Sequence, residues 1–447
     1  MPQDLYLGLD IGTTKIAAVV ADSEGNVRAS VSRVHAAGLP APDERAEQEA
    51  GVLLDTAWAV VRELPGALRH RVGGIGVTGQ MHGVVLVDAG QEPVTPLITW
   101  QDGRCLEDPT FFDALSTTTG YRLATGYGLA TLAWLHRHQQ IPPNAVSATT
   151  IHDLVVARLC SLPRPVTDPS DAASWGCFDL AAAAWDEAAL ASSGLPVSML
   201  PAVHPFGSVA GVIDPAMASW LGLPGGLPVH VALGDLQASL LATIQDPETD
   251  VALTLGTGGQ ATVITAAPLK AGVAARDAPC VYWPYPGGRI AVVAASLSGG
   301  AAWAWLVDSL DAWLRDLGVA PPPREALFDK INALGLAATH ELPVRSHFLG
   351  ERHDPSLTGS IQNLTLSTFT LGALARGLAR SIVRTLHEML PADTLKNRSR
   401  LVGGGNALRR TPLLQDMAET VFGLPLTLTE DREEAATGAA LVAAGNV

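Results

Sequence analysis

Leu7-Gly8-Leu9-Asp10-Ile11-Gly12-Thr13-Thr14-Lys15, followed by the apolar run Ile16–Val20, is the stretch that decides the fold of this chain. Two short apolar runs separated by a Gly/Thr turn predict a β-hairpin between Leu5 and Asp22 rather than a helix. The design returns over Val251–Thr265, as Leu253-Thr254-Leu255-Gly256-Thr257-Gly258-Gly259-Gln260 and then Ala261–Thr265. A repeat at so long a spacing is no solenoid period, and it predicts two related domains. Gln245-Asp246-Pro247-Glu248 reads as a polar turn within Ala242–Asp250, which sets the domains at residues 1–243 and 244–447.

The flanking segments extend this pattern. Apolar Val72–Thr78 runs into Gly79-Gln80-Met81-His82-Gly83, and Arg400–Val402 runs into Gly403-Gly404-Gly405-Asn406. Helical periodicity fills Ala50–Leu64, Leu129–His138, Thr368–Leu390 and Leu413–Phe422, and mixed elements of this kind give an α/β class with layered sheets. Ile290–Val307 carries no charge and is about long enough to span a bilayer. Ser296, Ser298, Gly299 and Gly300 interrupt it, so it reads as a buried strand, a glycine turn and a core helix. Pro321-Pro322-Pro323 reads as a surface loop.

Composition bounds the function. The 447 residues are 47% hydrophobic and 16% charged, enough apolar surface for a buried core and the opposite of a disordered chain. Lys and Arg number 29 against 44 Asp and Glu, a formal charge of −15. Nucleic-acid binding is driven by clustered basic side chains, so no nucleic-acid partner is expected. Phosphates must instead be held by backbone N–H groups, hydroxyls and a metal ion. Cys105, Cys160, Cys177 and Cys280 are widely spaced, fit neither a zinc nor a disulfide framework, and read as buried thiols of a reducing compartment. Met1-Pro2-Gln3-Asp4 lacks a basic region ahead of its apolar run, so no signal peptide and no membrane partner are expected, and the location expected is cytoplasmic.

Several turns carry residue types suited to phosphate chemistry. Asp10 ends a buried strand before Gly12, Thr13 and Thr14. Such a turn is either an ordinary hairpin with a capping Asp or a phosphate cradle whose carboxylate holds Mg2+, an ion that takes oxygen ligands. The second turn, Gly256-Thr257-Gly258-Gly259, favours the cradle, because two turns grip a polyphosphate from two sides. Asp235 follows the apolar strand Val229–Leu233. It suits a base that accepts a hydroxyl proton during phosphoryl transfer, or equally an N-cap for a helix over Leu236–Ala242. Gln80-Met81-His82 and Trp100-Gln101-Asp102-Gly103-Arg104 set polar groups beside apolar ones, as a sugar pocket does, although a lone His82 also fits a satisfied core position.

Taken in order, these turns resemble those of the FGGY-family carbohydrate kinases, within the actin-like ATPase superfamily, from Leu5 to Ala444. Leu7–Thr14 and Leu255–Gly259 resemble the family's two phosphate turns and Thr78–Gly83 its sugar loop. Gly234-Asp235 resembles its catalytic turn and Gly403–Asn406 its adenosine loop. Three departures from commoner members stand out. Leu236-Gln237 replaces the Asn-Ala that follows the catalytic Asp of pentulose kinases, Thr131 stands where a Lys is usual before Trp134, and Ala375–Ser381 departs from an Arg-Ala…Glu-Gly pattern. These departures are similar to the sedoheptulokinase branch, as are Thr99–Cys105, Thr150-Ile151-His152-Asp153, Ala172–Gly176 and Phe348–His353.

The resemblance implies two actin-like (ribonuclease-H-like) α/β domains with a ligand cleft between them, ATP and Mg2+, and a ketose substrate. It implies that Asp235 is the base toward the terminal hydroxyl of sedoheptulose, and that Asp10 and Asp235 hold the metal. Thr13, Thr14, Lys15, Gly256 and Thr257 would orient phosphates, with Gly300, Gly404, Gly405 and Asn406 on the adenosine side. Gln80, Met81, His82, Trp100, Asp102, Arg104, Asp235 and Gln237 would contact the sugar. The expected assembly is a monomer or homodimer. The alternatives are a xylulokinase or other pentulose or polyol kinase, a non-catalytic sugar sensor, and an actin-like ATPase.

Overall fold

In the computed structural model, residues 3–40, 42, 44–195, 197–266, 278–352, 354–430 and 433–446 are described, so Met1, Pro2 and His353 lie outside the described residues. The chain packs as two compact units. The first is Met1–Ala242 with Trp283–Arg289 and Arg432–Val447, and the second is Thr243–Tyr282 with Ile290–Asp431. Measured against the halves read from the sequence, a hairpin tip and the C-terminal segment pack with the first unit.

The first unit is built on a seven-stranded sheet. Leu5–Ile11 pairs antiparallel with Lys15–Ala21, which pairs antiparallel with Val27–Val34. On its other edge Leu5–Ile11 lies parallel to Val72–Gly79, which carries both Pro228–His230 and Leu233–Gly234. The helices Ala50–Glu63 and Ile151–Cys160 cover one face with a single apolar core that includes Leu53, Val60, Leu154 and Val155. The C-terminal helix Glu434–Ala443 covers the other face, where Ala436 and Ala440 pack on Ala17 and Val19. Its Ala- and Gly-rich composition lets two backbones meet: a Cβ on Gly8 would fall on the carbonyl of Ala436, and one on Gly76 on the carbonyl of Ala439.

The second unit repeats the arrangement. Asp250–Leu255 pairs antiparallel with Gly259–Ala266 and parallel with Arg400–Gly404, inside a six-stranded sheet completed by Cys280–Tyr285, Arg289–Ser296 and Leu426–Leu428. The glycine-interrupted segment resolves into the strand Arg289–Ser296 and the helix Gly300–Asp316. No helix among the described residues is long and apolar enough to cross a membrane.

Asp250 fastens the turn read as the boundary. Its carboxylate accepts from Arg400 Nε (3.0 Å) and Nη2 (2.6 Å) and from the backbone N–H groups of Gln245 and Asp246. Burial opposes its ionisation, but the Arg400 and backbone hydrogen bonds outweigh burial and hold its carboxyl below the usual range. Removing one partner of such a pair strands the other. Asp250→Ala should therefore cost about 3 kcal/mol, read as a lower melting temperature at pH 7. A depressed folded pKa gives stability above the unfolded value of about 4 that is lost as pH falls through the folded value. The gap between wild type and Asp250→Ala should accordingly close below pH 4, and a constant gap down to pH 2 would refute the ion-pair account.

Candidate active site

In the first unit the strand expected over Val229–Leu233 is broken into two pieces. Val229 lies opposite Ile75 but Leu233 opposite Thr78, so one extra residue is accommodated between them. A bulge of this kind bends a strand and re-aims the residues beyond it. Those residues are Gly234, paired with Gly79, and then Asp235, the first residue of the helix Asp235–Thr243. Asp10 sits next to the end of Leu5–Ile11, opposite Thr78, so the two carboxylates stand at the same end of the sheet.

Their electrostatics mark this end. Burial pushes the Asp10 carboxyl up to about 8, helped by the charges of Asp235 and Glu433 and opposed by Lys15. Asp10 Oδ1 is buried and has no hydrogen-bond partner. Burial also pushes Asp235 up to about 6, while His152 and the backbone N–H groups of Leu236 and Asp235 pull it back. Two crowded carboxylates with an orphaned oxygen fit a divalent cation, which would relieve both the burial and the repulsion. Carboxyls raised by burial, and in Asp10 also by the neighbouring Asp235 charge, are also typical of reacting groups.

Around Asp235 the residues expected on the sugar side fall into two groups. Met81 and Gln237 flank the strand end, since a Cβ on Gly234 would lie 2.7 Å from Met81 Sδ and 2.8 Å from Gln237 Oε1. Gln237 is fully buried; its Nε2 donates to the Pro284 carbonyl (3.0 Å), while its Oε1 has no partner. His82 has a left-handed backbone (φ 74°), held by its N–H to Ser174 Oγ and by Nδ1 at 2.7 Å from the Ser174 carbonyl. Such conformations persist only where the surroundings enforce them, and they gather at functional sites. The His82 ring stacks on Tyr127 at 4.6 Å and tilts against Trp283 at 5.7 Å. Gln80 is buried and accepts from Thr13 Oγ1 (3.3 Å), and the half-exposed Trp100 donates its indole N–H to the same Thr13 oxygen (3.0 Å).

Asp102 and Arg104 are placed differently. Arg104 donates from Nε to Asp102 Oδ1 (2.7 Å) and from Nη2 to Asp102 Oδ2 (2.9 Å) and Glu47 (2.6 Å), and both side chains are buried. Their polar atoms are spent on each other, which braces the loop that presents Trp100. Thr14 is exposed, and Lys15 Nζ donates to both carboxylate oxygens of Glu433 (2.8 and 2.7 Å). A phosphate drawing on Lys15 would have to compete with Glu433, a residue near the far end of the chain that no local pattern links to it. Tyr127, Trp283, Ser174 and the His152–Asp171 pair are likewise not singled out by spacing, although most lie in or beside the loops that resemble sedoheptulokinases.

The second unit gathers the remaining residues. The Gly256 carbonyl accepts from the Gly300 N–H (2.7 Å) and the Thr257 carbonyl from the Ala301 N–H (2.9 Å), so the second turn abuts the N-terminus of the helix Gly300–Asp316. Gly404 ends its strand opposite Thr254, and Gly405 takes a left-handed φ of 85° to lead into Asn406. Gly300 and Asn406 line a cavity of about 270 Å³ together with Trp303, Phe328, Arg410 and Thr411. Trp303 Nε1 and Thr411 Oγ1 are buried there without hydrogen-bond partners. The aromatic wall and orphaned polar atoms suit a flat heterocycle with polar edges.

Comparison with known proteins gives a consistent result. The models for the N-terminal and C-terminal domains of the FGGY family of carbohydrate kinases match residues 5–242 and 251–446. A sedoheptulokinase from Homo sapiens is 36% identical, covering 98% of this chain and 97% of its own length. A xylulose kinase from Klebsiella pneumoniae is 29% identical over 57% of this chain and 53% of its own. Among solved structures, the xylulose kinase from Rhodospirillum rubrum superposes with a TM-score of 0.84 at 28% identity, covering 99% of this chain and 90% of that one.

Proposed function

Because this chain belongs to the FGGY family of carbohydrate kinases, we propose that it transfers the γ-phosphate of ATP to the terminal hydroxyl of sedoheptulose, giving sedoheptulose 7-phosphate and ADP. The observation that carries the chemistry is Asp235, set beyond the bulged strand beside Asp10 with a carboxyl poised near 6. A base of that kind is ionised at neutral pH yet strong enough to take a hydroxyl proton. The sugar oxygen attacks the γ-phosphorus, the new O–P bond forms as the bond to the β-phosphate oxygen breaks, and Asp235 receives the proton. Mg2+, held by Asp10 and by Asp235 directly or through water, would offset the negative charge on the transferring phosphoryl group.

Gln237 Oε1, Met81, His82 and Trp100 form the sugar side in this reading, with Gln80 and the Asp102–Arg104 pair holding them in place. Thr13, Thr14, Gly256 and Thr257 orient phosphates, Lys15 does so once released from Glu433, and Gly300, Gly404, Gly405 and Asn406 receive the adenosine. The preference for seven carbons rests on 36% identity to a sedoheptulokinase along nearly the whole chain, against 29% over about half of it for the Klebsiella pneumoniae xylulose kinase and 28% for the xylulose kinase from Rhodospirillum rubrum. ADP release measured on sedoheptulose, xylulose, ribulose and glycerol tests it. The highest kcat/KM is expected on sedoheptulose, and a higher value on xylulose would replace the substrate while leaving the kinase reading intact.

A further inference from the structure

Within electrostatic reach of Asp235 lies a buried dyad that the transfer step does not use. His152 lies on the helix Ile151–Cys160, whose N-cap Thr150 accepts from the Asp153 N–H. The imidazole is fully buried, with Nε2 2.7 Å from Oδ2 of the equally buried Asp171. Asp171 belongs to the short helix Pro169–Trp175, capped by Asp168, which accepts from the Asp171 N–H (3.0 Å) and from Ser170 Oγ (2.7 Å). Ser170 Oγ in turn accepts from the backbone N–H of Gly234, the residue before Asp235 (2.9 Å).

The His152 side of the dyad reaches the same point by another route. A Cβ on Gly79 would lie 2.8 Å from His152 Nδ1, so the ring is packed against the strand residue that pairs with Gly234. Nδ1 itself is buried with no hydrogen-bond partner. Residue 234 is thus held from one side by Asp171's helix and from the other through the glycine on which His152 rests. Burial pulls the imidazole pKa down, against the charges of Asp153 and Asp235, and it raises the Asp171 carboxyl, so burial disfavours the charged form of both members of the dyad.

We propose that His152, fixed by Asp171, is a positioning residue that holds Asp235 in line with the acceptor hydroxyl. The proposal rests on Asp235 being the base. A buried support of this kind acts by restricting the reacting group to its productive geometry, where small displacements are costly. Its loss therefore lowers kcat without touching the nucleotide.

The test is a set of variants assayed on whichever sugar the wild type turns over fastest. His152→Ala and Asp171→Ala should lower kcat about 10- to 100-fold with KM for ATP within about twofold of wild type. Asp171→Asn keeps a hydrogen-bonding partner for Nε2 without a carboxyl group and should restore kcat to within about threefold, which also guards against misfolding of the alanine variants. The decisive measurement is the cycle with Asp235→Asn. If His152 acts through Asp235, adding His152→Ala to Asp235→Asn should cause no further loss, whereas full additivity would overturn the proposal. An unchanged kcat in His152→Ala would also overturn it. Near-normal turnover in Asp235→Asn alone would remove the base assignment instead, a separate failure.

Discussion

Asp235→Asn should retain ATP and sugar binding while losing turnover by at least about 100-fold, because a positioned general base contributes about 10²–10⁴. The amide occupies the same volume and keeps a polar group in place, so KM for either substrate should change little. A second consequence separates a functional carboxylate from a structural one. The folded Asp235 carboxyl is raised to about 6 by burial, against about 4 when unfolded. A raised folded pKa means that stability is full below the unfolded value and is lost as pH rises through the folded one. At pH 8 without ligands or metal, the carboxylate should cost the fold about 1–3 kcal/mol. Asp235→Asn is therefore expected to melt higher than wild type at pH 8, by several degrees, with the advantage vanishing near pH 4. Retained activity would discard the base, and a lower melting temperature at pH 8 would show that Asp235 braces the fold rather than straining it.

Gly76→Val should unfold the first unit or lower its melting temperature by about 10 °C. The position lies inside the Val72–Gly79 strand, where Val is intrinsically better than Gly, so local propensity predicts stabilisation. The C-terminal helix reverses that sign. A Cβ at residue 76 would coincide with the Ala439 carbonyl, a backbone atom that no rotamer change can move aside. Accommodating it means lifting the helix Glu434–Ala443 from the sheet and exposing Ala436, Ala439 and Val442. Overpacking a core typically costs about 1–3 kcal/mol and more when backbone must move. At about 2–4 °C per kcal/mol for a unit of this size, the shift is readily measured by thermal melting. Gly73→Ala, beside the less crowded Gln3, is the control and should shift the midpoint far less. A Gly76→Val protein as stable as wild type would mean that the helix does not seat on this sheet.

Asp235 and Gly76 differ in how much of their role the chain discloses locally. Strand, glycine turn and strand were legible at Leu5–Ala21 and at Asp250–Ala266, because alternation of apolar runs with Gly and Thr is written into consecutive residues. So were the helices Ala50–Glu63 and Leu371–Met389, whose apolar faces recur at helical spacing. Asp235 was legible as an acid at the end of an apolar run, but the break in its strand was not. A one-residue register shift against Val72–Gly79 is a property of the pair of strands rather than of either sequence. Spacing did not reveal that Asp102 and Arg104 neutralise one another, or that Glu433 holds Lys15.

By itself, then, the sequence determined the α/β class, the repeated hairpin design and the residue types at each turn, since these depend on neighbours a few positions apart. The tertiary structure alone decided which carboxylates sit together at the sheet end, that His152 and Asp171 form a buried pair behind Gly79 and Gly234, and that the last helix closes the first sheet. Burial and the pKa shifts it causes depend on every atom that excludes water from a group. Those atoms come from segments hundreds of residues apart, as with Gly8 and Ala436.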